Sequence, residues 1–368
     1  MAYDFAGMMK PFFIGDIEVK LPIVQGGMGV GISLSGLASA VANEGGIGVI
    51  SCAGIGLLYN QTSSDYLNNC IGGVQEELRK TREKTKGVIG INIMVALSNY
   101  ADMARAAIAE KVDIIFSGAG LPLDLPSYLT PDSKTLLAPI VSSARATKLI
   151  CEKWLTNYSY LPDAIVVEGP KAGGHLGFKK EQLDDESFSL EQLVPEVKAV
   201  AQQYSHKKDI PIIAAGGVST GADILRLMEL GASAVQMGSI FVPTNECDAS
   251  PTFKQVYITS KQTDIVIIQS PVGMPGRALN SAFINSVAQG KEHPRACPFH
   301  CIKTCDYTQS PYCIIKALYN AAKGNMNKGY AFAGANAYLA DKLRSVKEVV
   351  AKLCEEFAIA QQNTIAAL

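Results

Sequence analysis

Residues 163–177 read Asp-Ala-Ile-Val-Val-Glu-Gly-Pro-Lys-Ala-Gly-Gly-His-Leu-Gly. The apolar residues 164–167 have the length and the β-branched content of a buried strand. After Glu168 the pattern breaks, because Gly169, Pro170 and three further glycines fit no regular element. His175 lies among these glycines, where the backbone can approach a ligand closely. Its ring is therefore a candidate proton carrier, and an exposed histidine in a flexible loop is the alternative.

Short apolar strands alternate with helices along most of the chain. The first predicted helix is capped by Ser33 and ends at Gly45. A doubly wound sheet would need Gly-x-Gly-x-x-Gly after its first strand, but the glycines from Gly27 follow Gly-x-Gly-x-Gly. Eight parallel strands joined by helices favour a (β/α)8 TIM barrel instead. The barrel strands are predicted at 22–25, 48–51, 88–94, 112–116, 136–141, 164–167, 210–215 and 234–237. The later helices are predicted at 76–86, 100–109, 143–154, 190–204 and 221–230.

The alternation ends after residue 242. A further strand is predicted at 265–269, and residues 290–330 show no clear period. A helix is predicted at 335–356, with Leu339 and Leu343 on its apolar face. We therefore divide the chain into a TIM-barrel domain at 1–244, which carries the ligand site, and an appended helical and irregular region at 245–368. A short lead-in strand is predicted at 14–19.

The composition of the chain argues against several classes of function. The 368 residues are 48% hydrophobic, and 33 basic residues nearly balance 34 acidic ones, so neither nucleic acid nor an anionic membrane surface is an expected partner. The first ten residues lack the apolar core of a secretory signal. Residues 21–43 are uncharged, but Pro22 and the glycines argue against a membrane span. Nine cysteines without a signal indicate a reducing cytoplasm.

The predicted strand ends carry glycines and small polar residues, where a barrel places its active site. The loops Gly216-Gly217 and Gly238-Ser239 supply backbone N–H groups and a hydroxyl, which is typical of a phosphate cradle. A phosphate at this corner, beside a glycine-lined mouth, predicts FMN as the cofactor. Asn92 and Gln236 could supply amides to the polar edge of its ring. For any single loop, glycines that only turn the chain are the alternative.

Five ordered motifs carry a resemblance to a known family. They are Val-Gln-Gly-Gly-Met-Gly at 24–29, Gly-Ile-Asn-Ile-Met at 90–94, the histidine loop at 168–177, Ala-Ala-Gly-Gly-Val at 214–218 and Gln-Met-Gly-Ser at 236–239. Together they resemble the nitronate monooxygenases, formerly 2-nitropropane dioxygenases, and nearly as well the flavin-dependent enoyl-ACP reductases. The resemblance implies a barrel with non-covalent FMN and an active-site histidine, His175. The predicted cofactor-binding residues are Gly26, Gly27, Met28, Asn92, Glu168, Gly173, Gly174, Gly216, Gly217, Val218, Gln236, Met237, Gly238 and Ser239.

The resemblance also implies a reaction. An FMN-dependent nitronate monooxygenase oxidises alkyl nitronates with O2 to carbonyl compounds and nitrite, and His175 would act as base or hydrogen-bond the nitronate. The alternative is an NAD(P)H-dependent enoyl-ACP reductase, acting on an enoyl thioester, or an NAD(P)H:flavin oxidoreductase. A non-catalytic sensor of a phosphorylated ligand is a third hypothesis. The physiological substrate, the electron donor and assembly into a homodimer stay open.

Cysteines recur near the end of the chain. Cys297, Cys301 and Cys305 are spaced by four residues, and Cys313 follows. On a helix this spacing would place three thiols on one face, where they could bind a metal or an iron–sulfur cluster. The Cys-x-x-Cys spacing typical of zinc sites and ferredoxins is missing, however. We therefore interpret them as small buried residues at helical spacing and expect no metal.

Overall fold

The computed structural model describes residues 9–59 and 65–366. Residues 1–8, which carry most of the stretch predicted to lack a secretory signal, lie outside the described residues. Within the described ranges, no helix combines the length and the apolar character that crossing a bilayer requires.

The described chain begins with a two-stranded antiparallel hairpin, β1 (Phe12–Ile14) and β2 (Ile17–Val19). The single lead-in strand predicted at 14–19 is therefore wrong, because Gly15 adopts φ 54° and turns the chain back. Phe12 and Val19 pack with residues of the barrel interior. The hairpin thus contributes its apolar face to the barrel core.

The predicted TIM barrel is confirmed. Its eight strands are β3 (Ile23–Gln25), β4 (Gly48–Ser51), β5 (Ile89–Met94), β6 (Ile114–Gly118), β7 (Leu136–Val141), β8 (Ile165–Glu168), β10 (Ile212–Ala215) and β11 (Ala234–Met237). The short strand β9 (Gly174–His175) lies outside the barrel. The eight parallel strands have the neighbour order β3-β11-β10-β8-β7-β6-β5-β4, and a bridge between Val24 and Ile47 joins the first strand to the residue preceding β4.

Helices cover the outside of the barrel, and Leu125–Tyr128 forms only a 3-10 turn between β6 and β7. The last helix packs against both the helix after β10 and the helix after β3, so it lies in the outer layer of the barrel. The helices are α1 (Ser35–Asn43), α2 (Gly56–Tyr59), α3 (Tyr66–Lys84), α4 (Tyr100–Ala109), α5 (Ala144–Tyr158), α6 (Leu190–Gln202), α7 (Gly221–Glu229), α8 (Pro251–Thr259), α9 (Ala282–Ala288), α10 (Ile314–Ala322) and α11 (Val346–Ala366).

The start of α1 differs from the prediction. Ser33 does not cap the helix, because its hydroxyl accepts a hydrogen bond from the Met28 backbone N–H at 2.8 Å. The carboxylate of Asp248 instead accepts from the N–H groups of Leu34 and Leu37, at 2.7 and 3.1 Å. A residue more than 200 positions away therefore satisfies the helix N-terminus.

The predicted helix at 335–356 is also wrong in its first part. The helix begins only at Val346, and Leu339 and Leu343 are exposed rather than buried. Ser345 and Glu348 form a capping box, in which the serine hydroxyl accepts from the Glu348 N–H at 3.2 Å and the carboxylate accepts from the Ser345 N–H at 2.7 Å. This Ser-x-x-Glu signal marks the true start of α11.

The region after residue 244 is interleaved with the barrel. Strands β12 (Ile265–Gln269) and β13 (Pro275–Leu279) form a hairpin, and β13 also pairs with β9 from the histidine loop. The cysteine segment is not helical, since no helix or strand occurs in the described residues 289–313. The helical-spacing interpretation of its cysteines is therefore wrong. The division into domains at 244/245 stays a prediction.

Candidate active site

A cavity of about 670 Å³ opens at the carboxyl ends of the barrel strands. This volume lies within the range of small-molecule and cofactor sites. Tertiary structure brings every site residue predicted from the sequence to this one cavity. They are Gly26, Gly27, Met28, Asn92, Glu168, Gly173, Gly174, His175, Gly216, Gly217, Val218, Gln236, Met237, Gly238 and Ser239.

Two amide side chains line the cavity from two different strands of the barrel. Asn92 lies on β5 and Gln236 lies on β11, next to β3, and no hydrogen bond joins either side-chain amide to another described residue. Gly27 makes room for the first of them, because a Cβ there would come within 2.3 Å of the Asn92 Cβ. The two amides are therefore free to hydrogen-bond a ligand with a polar edge.

The loops after β10 and β11 expose backbone groups at one corner of the cavity, because glycines occupy several of their positions. Gly216 and Gly217 have φ of 104° and 79°, a conformation that side chains other than glycine rarely adopt. A loop from the C-terminal region closes this corner. There the Gly334 N–H donates to the Ser239 hydroxyl at 2.8 Å, and the Asn336 amide donates to the Gly217 carbonyl at 2.7 Å. The arrangement could hold a phosphate through backbone N–H groups.

His175 lies at the edge of the three-stranded sheet. Its Nε2 is 2.7 Å from the Ser270 hydroxyl, in the turn between β12 and β13, and its ring packs edge-on against Phe332 with centroids 5.0 Å apart. If Ser270 donates, the ring's other nitrogen carries the proton. If Ser270 accepts, that nitrogen is free to act as a base.

Arg277 fixes the loop that leads to the histidine. Its guanidinium is buried and donates to the carbonyls of Pro170 and Ala172, the latter at 2.8 Å. Burial lowers the pKa of this arginine. Its backbone pairs with Gly174 in β9, so one residue of β13 anchors the histidine loop at three points before His175.

The cavity carries little charge. No described residue that lines it is a lysine or an arginine. Burial raises the pKa of the Glu168 carboxyl to about 7 and lowers the pKa of His175 to about 4. The histidine is therefore neutral at pH 7, and the carboxyl is partly protonated there.

Sequence analysis missed the wall that the second half of the chain supplies. Two residues of this wall, Gly334 and Asn336, could have been found, because they repeat the combination of glycine and a small polar residue that marks the strand ends. The aromatic members carry no such signal, since their apolar side chains look like ordinary core. The residues missed include Phe178, Phe188, Phe253, Tyr257, Met274, Leu318, Tyr330, Phe332, Ala333, Gly334 and Asn336.

Known proteins resemble this chain in sequence and in fold. A probable nitronate monooxygenase of Staphylococcus aureus (strain Newman) is 26% identical over 303 residues, covering 74% of this chain and 79% of that protein. FabK from Thermotoga maritima shares the fold, with a TM-score of 0.72 and 24% identity over 95% of this chain and 96% of that one. A nitroalkane oxidase from Streptomyces ansochromogenes has a TM-score of 0.70 and 21% identity, over 94% of this chain and 97% of that one.

The family comparison covers most of the sequence. The sequence pattern of the family described as nitronate monooxygenase matches residues 10–113 and 103–356. These matches include all five motifs and the histidine. The chain belongs to the nitronate monooxygenase family of oxidoreductases.

Proposed function

We propose that the protein is an FMN-dependent nitronate monooxygenase that oxidises alkyl nitronates with O2 to carbonyl compounds and nitrite. The observation that carries the proposal is His175, with its Nε2 2.7 Å from the Ser270 hydroxyl, in a cavity walled by glycines and unpaired amides. Membership of the family supports the same reaction class. The relative named as a probable nitronate monooxygenase supports it at 26% identity.

The residues present fit a flavin with a single phosphate. Backbone N–H groups of Gly216, Gly217 and Gly238 would hold the phosphate, and the Ser239 hydroxyl can donate as well, since it already accepts from Gly334. The amides of Asn92 and Gln236 would hydrogen-bond the polar edge of the ring. When bound, FMN supplies the group that accepts electrons from the substrate. The lack of a dinucleotide fingerprint favours FMN over FAD.

The substrate anion meets neutral groups in this cavity. A nitronate carries a negative charge, and no described lining residue offers a cation. His175 is the candidate donor or base, and its bond to Ser270 fixes which nitrogen faces the substrate. Hydrogen bonds to a charged group contribute about 1.5–3 kcal/mol, so one neutral imidazole can bind the anion usefully.

The partly protonated Glu168 carboxyl also faces the cavity. An ionised Glu168 would repel a nitronate, whereas the protonated form would not. We therefore expect nitronate binding to favour the protonated carboxyl. The cavity could in this way take up one proton together with the anion.

A second candidate follows from the apolar wall of the cavity. Phe178, Leu318 and Phe332 line a surface that also suits the acyl chain of an enoyl thioester. An NAD(P)H-dependent enoyl-ACP reductase, or a broader NAD(P)H:flavin oxidoreductase, would use the same flavin site. The two candidates differ in their electron donor.

The test is an anaerobic spectrum of the purified protein. We expect a yellow protein with FMN released on denaturation, whose absorbance is bleached by propyl nitronate and only slowly by NADH. Admission of O2 should then restore the flavin absorbance and yield nitrite. Rapid bleaching by NADH with none by the nitronate would favour the reductase. A protein that stays colourless after incubation with FMN would refute both flavin assignments and leave the sensor hypothesis.

A further inference from the structure

Four of the nine cysteines lie within residues 297–313. They line one small void of about 20 Å³, which is separate from the main cavity. The walls between the thiols are mostly apolar and include Pro294, Ala296, Tyr307, Tyr312 and Ile314. The expectation of no metal rested on the missing Cys-x-x-Cys spacing, but the structure brings all four cysteines to one void without a helix.

We propose that Cys297, Cys301, Cys305 and Cys313 form a four-thiolate site for a single soft metal ion, zinc or iron. Four thiolates without other ligands are the set that zinc and iron–sulfur centres use. The void accommodates an object of about atomic size, and its apolar walls offer a water molecule few partners.

The four thiols lie close to one another. All four side chains line the same void, which has a volume of only about 20 Å³. In the described part of the chain, no three His, Cys, Asp or Glu side chains are already arranged as metal ligands. Binding must therefore draw the sulfurs inward, to about 3.8 Å apart for a tetrahedral site with Zn–S bonds of about 2.3 Å.

The segment has the character of a loop that a metal would organise. Residues 289–313 contain no helix or strand, and Phe299 and Cys301 pack in a small apolar cluster with Val30, Leu57 and Ile315. Few backbone bonds tie the segment to the barrel. The Ser98 N–H donates to the Cys301 carbonyl at 3.1 Å, and the Lys303 N–H donates to the Ala96 carbonyl at 3.0 Å.

The site would brace the active-site cavity. Cys313 precedes α10 directly, and its carbonyl accepts the Ala317 N–H at 3.0 Å. The same helix carries Leu318 to the cavity wall. The loop at 96–98, which the segment touches, follows the strand that carries Asn92. A metal here would therefore fix two parts of the wall, whichever substrate the cavity takes.

The experiment uses the full chain, purified anaerobically without chelators. We expect about one zinc or iron ion per chain and no acid-labile sulfide. Titration with a mercurial reagent should release the metal as the thiols react. Cys301→Ser and Cys313→Ser should each lose most of the metal while keeping the circular dichroism of the wild type.

Cys151→Ser is the matched control, because that cysteine is buried in α5 away from the segment, and it should keep the full metal content. A metal-free wild type that takes up neither zinc nor ferrous iron would overturn the proposal. Full metal content in both segment variants would overturn it too. Two disulfides found by mass spectrometry in the anaerobic protein would have the same consequence. Since metal content is measured directly, failure here leaves the flavin assignment untouched.

Discussion

The bond between His175 and Ser270 allows the role of the histidine to be measured. We predict that His175→Asn leaves FMN bound but strongly reduces turnover, and that Ser270→Ala has a smaller effect. The serine hydroxyl is buried and lies 2.7 Å from Nε2. Losing one such bond costs about 0.5–1.5 kcal/mol, which corresponds to about a 2- to 10-fold loss of rate.

The histidine itself should matter more. With its pKa lowered to about 4, the ring is a weak base at pH 7, so we expect it to act mainly as a hydrogen-bond donor to the anion. Removing a bond to a charged group costs about 1.5–3 kcal/mol, or about 10- to 150-fold on the preformed nitronate. If the ring also takes a proton from the neutral nitroalkane, the loss on that substrate should reach about 10²–10⁴-fold.

The assay is nitrite release and anaerobic flavin reduction by stopped flow, with propyl nitronate and the corresponding nitroalkane. The double variant should be no worse than His175→Asn alone, because Ser270 acts through the ring. Flavin content, measured in every variant, separates loss of chemistry from loss of cofactor. Full activity of His175→Asn on both substrates would refute the assignment, and additive losses in the double variant would refute the coupling.

Three further predictions concern the surroundings of the histidine. Gly217→Val should weaken FMN binding at least about 10-fold, because φ is 79° and the new Cβ would lie 2.8 Å from the Lys171 Cβ. The control is Gly290→Val, which has a similar φ of 68° but lies in open space and should bind FMN normally. Arg277→Met should destabilise the fold by about 1–3 kcal/mol in urea unfolding and reduce turnover in the nitrite assay, because two loop carbonyls lose their donor. Unchanged stability together with unchanged turnover would contradict the anchoring role. The Glu168 pKa rises from 4.5 to about 7 on folding, so the wild type should lose up to roughly 3 kcal/mol of stability as pH rises through this window. Glu168→Gln should remove that loss, with no difference from wild type near pH 4.5, and parallel unfolding curves from pH 4.5 to 8 would contradict it.

The sequence was sufficient to predict the barrel fold and the residues at the carboxyl ends of its strands. The period of apolar runs located the barrel strands β4, β7 and β11 at their observed bounds, since buried parallel strands are short and largely apolar. In a barrel the carboxyl ends of all strands meet at one face. Residues as distant in sequence as Gly26 and Gly238 could therefore be assigned to one site without any contact information.

Several long-range contacts of the site could not be predicted from the periodic pattern of apolar residues. Ser270, Arg277 and Asn336 are ordinary polar residues in sequence, and only the pairing of β13 with β9 and the closing loop bring them to the histidine and the phosphate corner. Asp248 capping α1 is a contact of the same kind. The pKa values of His175 and Glu168 also depend on burial, which is a property of the assembled cavity. Local residue patterns report backbone propensity and solvent-facing periodicity, whereas long-range hydrogen bonds and desolvation exist only after the chain has packed.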